Sequence, residues 1–183
     1  MTSTMPIAAR FTREEYLALS ESPPGVRFEL LDGELVTMND PLPLHQLVVG
    51  ALHAELRSWC RSPGGHGRVL LPVDTEIGPS TVFGPDLQWF AGDRDVPPID
   101  VRPWPVGDLV VEVASPSTAR YDALTKLGRY LESGAREVWL VTPEPRGARI
   151  VRAREDELVV EASGTLASPM LPGFALPLAA LLD

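Results

Sequence analysis

DLVVEVASPSTARYDALTKLGRYLESGAREVWLVTP, residues 108–143, is the stretch on which the fold turns. DLVVEVAS is short and apolar on both alternations, the pattern of a strand covered on both faces. ARYDALTKLGRYLES (119–133) has helical spacing, and Gly134 follows it where a helix takes its C′ residue. REVWLVTP is a second buried strand. Strand, helix and strand in this order predict two parallel neighbours joined by a right-handed crossover.

Working outward, RVLLPVDTEIG (68–78) and TVFGPDLQWF (81–90) are strand-like runs, each broken by a proline. Before them, LHQLVVGALHAELRSWC (44–60) repeats apolar residues at i, i+3, i+4 and i+7 through Leu44, Leu47, Val48, Ala51, Leu52, Leu56 and Trp59. That stripe predicts an amphipathic helix. VRFELL and ELVTM flank Asp32-Gly33, the signature of a tight hairpin. Thr12 and Glu15 stand at capping-box spacing in FTREEYLALS (11–20), which predicts a short helix. Beyond the central stretch, ARIVRARE and ELVVEAS form a further hairpin, and the apolar tail PMLPGFALPLAALLD packs back on the core. The expectation is a mixed α/β fold with one central sheet flanked by helices. It spans 1–183 as one domain: helix and hairpin over 1–40, core over 41–143, strands and tail over 144–183.

Composition narrows the function classes. In 183 residues, 44% are hydrophobic and 22% charged, a balance that excludes extensive disorder. One cysteine, Cys60, rules out an intramolecular disulfide, and with three histidines it leaves little for a zinc site. No apolar run suits a signal peptide or a membrane span, so a cytoplasmic protein is expected. The net charge of -9 argues against non-specific coating of nucleic acid, which rests on phosphate neutralisation. Of the 16 basic residues, 15 are arginine and only Lys126 is lysine.

Three residues stand out chemically. Glu112 lies among Val110, Val111, Val113 and Ala114, where a carboxylate is costly unless it is paired, bound to metal or able to escape to water. Asp86 follows Pro85 on the preceding strand-like run, as turn chemistry or as a side chain re-aimed by a bulge. Lys126 shares a helix face with Asp122 and Tyr130, four residues to either side. An i,i+4 salt bridge explains a cation there. It does not explain a lysine in a chain that otherwise uses arginine, whereas a compact ammonium able to release its proton does. Two carboxylates on neighbouring strands suit a hard divalent cation. A lysine beside them suits the orientation of an attacking water and the stabilisation of phosphate charge. Glu29, between Phe28 and Leu30, is a candidate fourth member, and His45 near a helix start is a fifth.

RFELLDGEL (27–35), PLHQ (43–46), Pro85-Asp86, the block 110–143 and SPMLPGFALPLAALL (168–182) together resemble the Uma-two family of the PD-(D/E)XK nuclease superfamily. The resemblance implies a restriction-endonuclease-like core and maps the superfamily's acids onto Asp86 and Glu112. The usual pattern has a lysine two residues after the second acid, where this chain has Ala114. The family is similar in moving that lysine to the next helix, at Lys126. Glu29 matches the family's hairpin glutamate, and His45 its histidine, although DPLPLHQ lacks the serine-proline pair before it.

The reading that follows is a Mg2+- or Mn2+-dependent endonuclease acting on DNA, with Asp86 and Glu112 as metal ligands. The rival is an inactive or regulatory binding protein that keeps the nuclease fold. It draws on the acidic charge and on the absence of a basic, aromatic strip. An acid/base carboxylate pair of the glycosidase kind lacks a sugar-stacking platform. A homodimer, built on the prolines or the apolar tail, is the expected assembly, and no membrane partner is expected.

Overall fold

The computed structural model describes residues 10–19, 26–115, 125–153 and 157–182. Helix α1 (Arg13–Leu17) starts on the anticipated capping box: Thr12 accepts from the Glu15 amide, and the Glu15 carboxylate accepts from the Thr12 amide. Strands β1 (Val26–Leu31) and β2 (Glu34–Asn39) pair antiparallel around Asp32 and Gly33, whose φ values of +50° and +85° are those of a hairpin turn. Helix α2 (Pro43–Arg61) follows, with Pro43 in its first turn.

The two proline-broken runs each change sheet. The first divides into β3 (Arg68–Leu70) and β4 (Thr75–Gly78), the second into β5 (Thr81–Phe83) and β6 (Leu87–Phe90). With β7 (Trp104–Pro105), β4 and β5 join the hairpin in a five-stranded sheet of order β2-β1-β5-β4-β7. The other halves enter a six-stranded sheet. It runs β11-β10-β9-β8-β6-β3 and includes β8 (Leu109–Val113), β9 (Glu137–Thr142), β10 (Gly147–Arg152) and β11 (Leu158–Val160). The expected single sheet is therefore two. Pro72 and Pro85 lack the N–H that a continuous ladder requires, so the chain leaves one sheet there and enters the next. A ribbon of β12 (Thr165–Leu166) and β13 (Leu176–Pro177) and a 3-10 turn (Leu178–Leu182) complete the described chain.

Strands β8 and β9 pair in parallel, as the strand–helix–strand order requires, and β8 pairs antiparallel with β6. The alternation along β8 separates two cores. Leu109, Val111 and Val113 pack with Val48, Leu52, Leu56 and Trp59 of α2, whereas Val110 and Ala114 pack with Leu127 and Tyr130 of helix α3 (Leu127–Glu132). Helix α3 stops as anticipated: Gly134 has φ +108°, and the Ala135 amide bonds the Tyr130 carbonyl. The part of the expected helix at 119–124, including Asp122, lies outside the described residues.

One further expectation changes and another holds. The α2 stripe is buried only from Val48 onward; Leu44 and Leu47, in its first turns, are 37% and 65% exposed. The tail is core: Leu171, Phe174, Leu176, Leu178 and Leu181 lie in the α2-side cluster, and Phe174 stacks on Trp139 at 6.0 Å.

Phe174→Ala tests this placement. It should cost about 3–5 kcal/mol of unfolding free energy in urea titration, as for an aromatic removed from a packed core. It should leave the mass measured by light scattering unchanged.

Candidate active site

A lysine buried between two glutamates lies where the two sheets and α3 meet. Glu29 lies on the β1 face opposite Phe28 and Leu30, which pack with Tyr16. Glu112 lies between Val111 and Val113, so the alternation that sends those valines to α2 turns it toward α3. Lys126 opens α3. Its Nζ donates to Glu29 Oε1 at 2.8 Å and to Glu112 Oε1 at 3.2 Å. Lys126 and Glu29 are each 1% exposed and Glu112 is 4% exposed. The Tyr130 hydroxyl donates to Glu112 Oε1 at 2.6 Å, and the Gly84 amide donates to Glu29 Oε1 at 3.0 Å. The ammonium also lies 5.5 Å from the centroid of the Phe83 ring, close enough for a cation–π attraction.

Asp86 lies beside this group. The β6–β8 register pairs Leu87 with Val111, and one more step along the ladder sets the Asp86 backbone opposite Glu112. The Asp86 side chain runs along the strand ends: Oδ2 accepts from the Val113 amide at 2.8 Å and contacts His45 Nε2 at 3.0 Å. Burial pushes the Asp86 carboxyl up. The His45 hydrogen bond and charge, the Val113 amide and the Arg27 charge outweigh it and hold the group below its ordinary value.

The five residues singled out in the sequence thus form two adjoining groups, Glu29–Lys126–Glu112 and His45–Asp86, joined through the β8 backbone. The sequence marks Tyr130 only by its place on the Lys126 face; its bond to Glu112 adds a donor to the site. The Gly84 amide carries no sequence signal. It acts because Pro85 turns the chain out of the five-stranded sheet just after it.

Two buried atoms have no hydrogen-bond partner among the described residues: Glu29 Oε2 and His45 Nδ1. Among the described residues no three His, Cys, Asp or Glu side chains converge at metal-ligand spacing. A magnesium-type ion needs fewer, since one or two carboxylates commonly hold it and water completes the octahedron. The oxygen-only donors at the Asp86–Glu112 strand ends fit that chemistry. Outside them opens a groove of about 460 Å³ lined by Leu42, Leu44, His45, Ala114, Ser115 and the Thr142–Glu144 turn.

The buried pairing has a measurable consequence. Lys126→Met should destabilise the chain by about 3–5 kcal/mol in urea titration, because it leaves two buried carboxylates without their cation. Adding Glu29→Gln to that variant should recover part of the loss. A strictly additive pair of losses would show that the two side chains do not interact.

No curated protein matches the chain. Among solved structures it is similar to a protein from Anabaena variabilis described as a putative nuclease belonging to DUF820. The TM-score is 0.78 at 19% identity, over 94% of this chain and 97% of that one. That likeness establishes a shared fold, consistent with the restriction-endonuclease-like architecture. No helix among the described residues is long and apolar enough to cross a membrane. The family model that matches residues 13–179 is Uma2, described as "Putative restriction endonuclease", and the chain belongs to that family.

Proposed function

We propose that the chain is a metal-dependent endonuclease hydrolysing phosphodiester bonds in DNA. The observation that carries this reading is the arrangement of Asp86 and Glu112 at the ends of adjacent strands, with Lys126 bonded to Glu112. The family description and the fold shared with a protein described as a nuclease support it. Asp86 and Glu112 would hold a magnesium or manganese ion, which supplies Lewis-acid charge and lowers the pKa of a bound water.

The chain's own residues then have separate tasks. His45 and the Val113 amide hold Asp86 Oδ2, fixing the carboxylate and keeping it ionised near neutral pH. Tyr130 and Lys126 both hold Glu112 Oε1, which sets the rotation of that carboxylate. Lys126 orients the attacking water or offsets the negative charge growing on the phosphate. In the reaction, water oxygen bonds to phosphorus as the P–O bond to the leaving oxygen breaks, and a proton from water ends on the departing strand. Glu29 keeps Lys126 in place.

One observation favours the rival reading, a binding protein that retains the fold: the Lys126 ammonium is already paired with two carboxylates and shut from solvent. Incubation of the pure chain with duplex DNA separates the two. Cleavage at millimolar magnesium or manganese, absent with chelator, is the expected result. Glu112→Gln and Lys126→Arg, which keep volume or charge, should each slow it at least about a hundredfold. Wild-type rates in both variants would sink the assigned roles. No cleavage together with no metal uptake by calorimetry would favour the binding protein.

A further inference from the structure

Six of the thirteen described arginines pair with an acid. Arg13 bonds Glu14 and Glu76, Arg94 bonds Asp108, Arg102 bonds Asp74, and Arg129 bonds Asp32; Arg149 and Arg152 bond Glu157 and Glu137. Among those without a hydrogen bond or ion pair to another described residue, Arg57, Arg61, Arg68 and Arg136 are exposed and need none. Two are half-buried. One, Arg146, is in the turn between β9 and β10. The other is Arg27.

Arg27 is in the first turn-length of β1, in register with Met38 of β2. Alternation along a strand puts residues two apart on one face, so Arg27, Glu29 and Leu31 share a side. Both of the others fix where that side looks. Glu29 bonds Lys126, and Leu31 packs with the cluster that holds Leu127 and Tyr130. The Arg27 guanidinium is therefore on the face of the five-stranded sheet that forms the site. Its positive charge reaches Asp86 and helps hold that carboxyl down. Arg27 is half-buried as a residue, and its guanidinium gains no hydrogen bond or ion pair from the described residues. Its planar fork matches two oxygens of a phosphate, and arginine is the side chain best suited to that bidentate contact.

We propose that Arg27 is a substrate-binding residue, a guanidinium that grips a phosphate of the nucleic-acid backbone at the Asp86–Glu112–Lys126 site. The inference rests on the nuclease reading for its substrate and deepens it. It also answers the acidic charge of the chain: affinity need not come from a broad basic surface if one preplaced guanidinium takes the phosphate that faces the carboxylates. The paired arginines are committed to folding contacts, whereas Arg27 has no such contact among the described residues.

The test uses the intact chain and three variants: Arg27→Gln, Arg27→Lys and, as a control on the exposed face of α2, Arg57→Gln. Binding of a fluorescent DNA duplex is followed by anisotropy across a salt series, and cleavage is measured as kcat and KM. Arg27→Gln should weaken duplex binding about tenfold or more, raise KM more than it lowers kcat, and reduce the salt slope by about 1. Arg27→Lys should recover part of the affinity, and Arg57→Gln should behave as wild type. A second probe, inorganic phosphate titrated by NMR, is independent of cleavage: chain resonances should shift in wild type and not in Arg27→Gln. Unchanged duplex and phosphate binding in Arg27→Gln would overturn the inference, as would a wild type that binds neither. A wild type that binds phosphate through Arg27 but never cleaves DNA would overturn the nuclease reading and leave the phosphate site standing. Equal melting temperatures for Arg27→Gln and wild type would separate lost binding from lost folding.

Discussion

The buried Lys126 ammonium is the constraint around which this structure is arranged. A charge removed from water must be matched at short range by opposite charge and hydrogen bonds. Here the partners come from three separate parts of the chain: Glu29 from β1 of one sheet, Glu112 from β8 of the other, and the lysine itself at the head of α3. Glu29 and Lys126 are 97 positions apart. The ion pairs therefore tie the five-stranded sheet, the six-stranded sheet and the helix to one point. Such an arrangement contributes little net stability compared with an apolar core of the same shape. What it does supply is position, because losing any one partner strands the rest without compensation.

The prolines explain why two sheets can meet there. Pro72 and Pro85 interrupt what would otherwise be long strands, and at each the chain passes between sheets. The passage at Gly84–Asp86 serves the site from both sides. The Gly84 amide reaches back to Glu29, and Asp86 starts the strand that runs beside Glu112. A single break in hydrogen bonding thus places one donor and one acid. The same logic divides the arginines. Those joined to acids hold loops and strands together, and Arg27, left without such a partner among the described residues, faces the carboxylates from β1.

Some of this was legible residue by residue. Asp32-Gly33 predicts the hairpin because few other residues accept positive φ, and Glu112 is conspicuous because a carboxylate among valines needs a reason. Lys126 was marked by composition, as the sole lysine beside 15 arginines. The apolar runs of β8 and β9 and the helix between them require a parallel pair, and the pair is there. The burial of the tail follows from the same hydrophobic patterning. Other features escaped. The exposure of Leu44 and Leu47 depends on what packs against the first turns of α2, and helical periodicity carries no record of that.

What the sequence determined by itself is local: turn chemistry, alternation, capping, and which polar residues sit in apolar surroundings. Those follow from neighbours one to four positions away, where propensity and periodicity act directly. Only the tertiary structure decided which of the conspicuous residues meet. It placed Lys126 between Glu29 and Glu112, gave Tyr130 a carboxylate to hold, paired His45 with Asp86, and set Arg27 on the Glu29 face. Those contacts arise where the chain crosses between sheets. Their geometry is set by the packing of elements far apart in sequence, which no local pattern encodes.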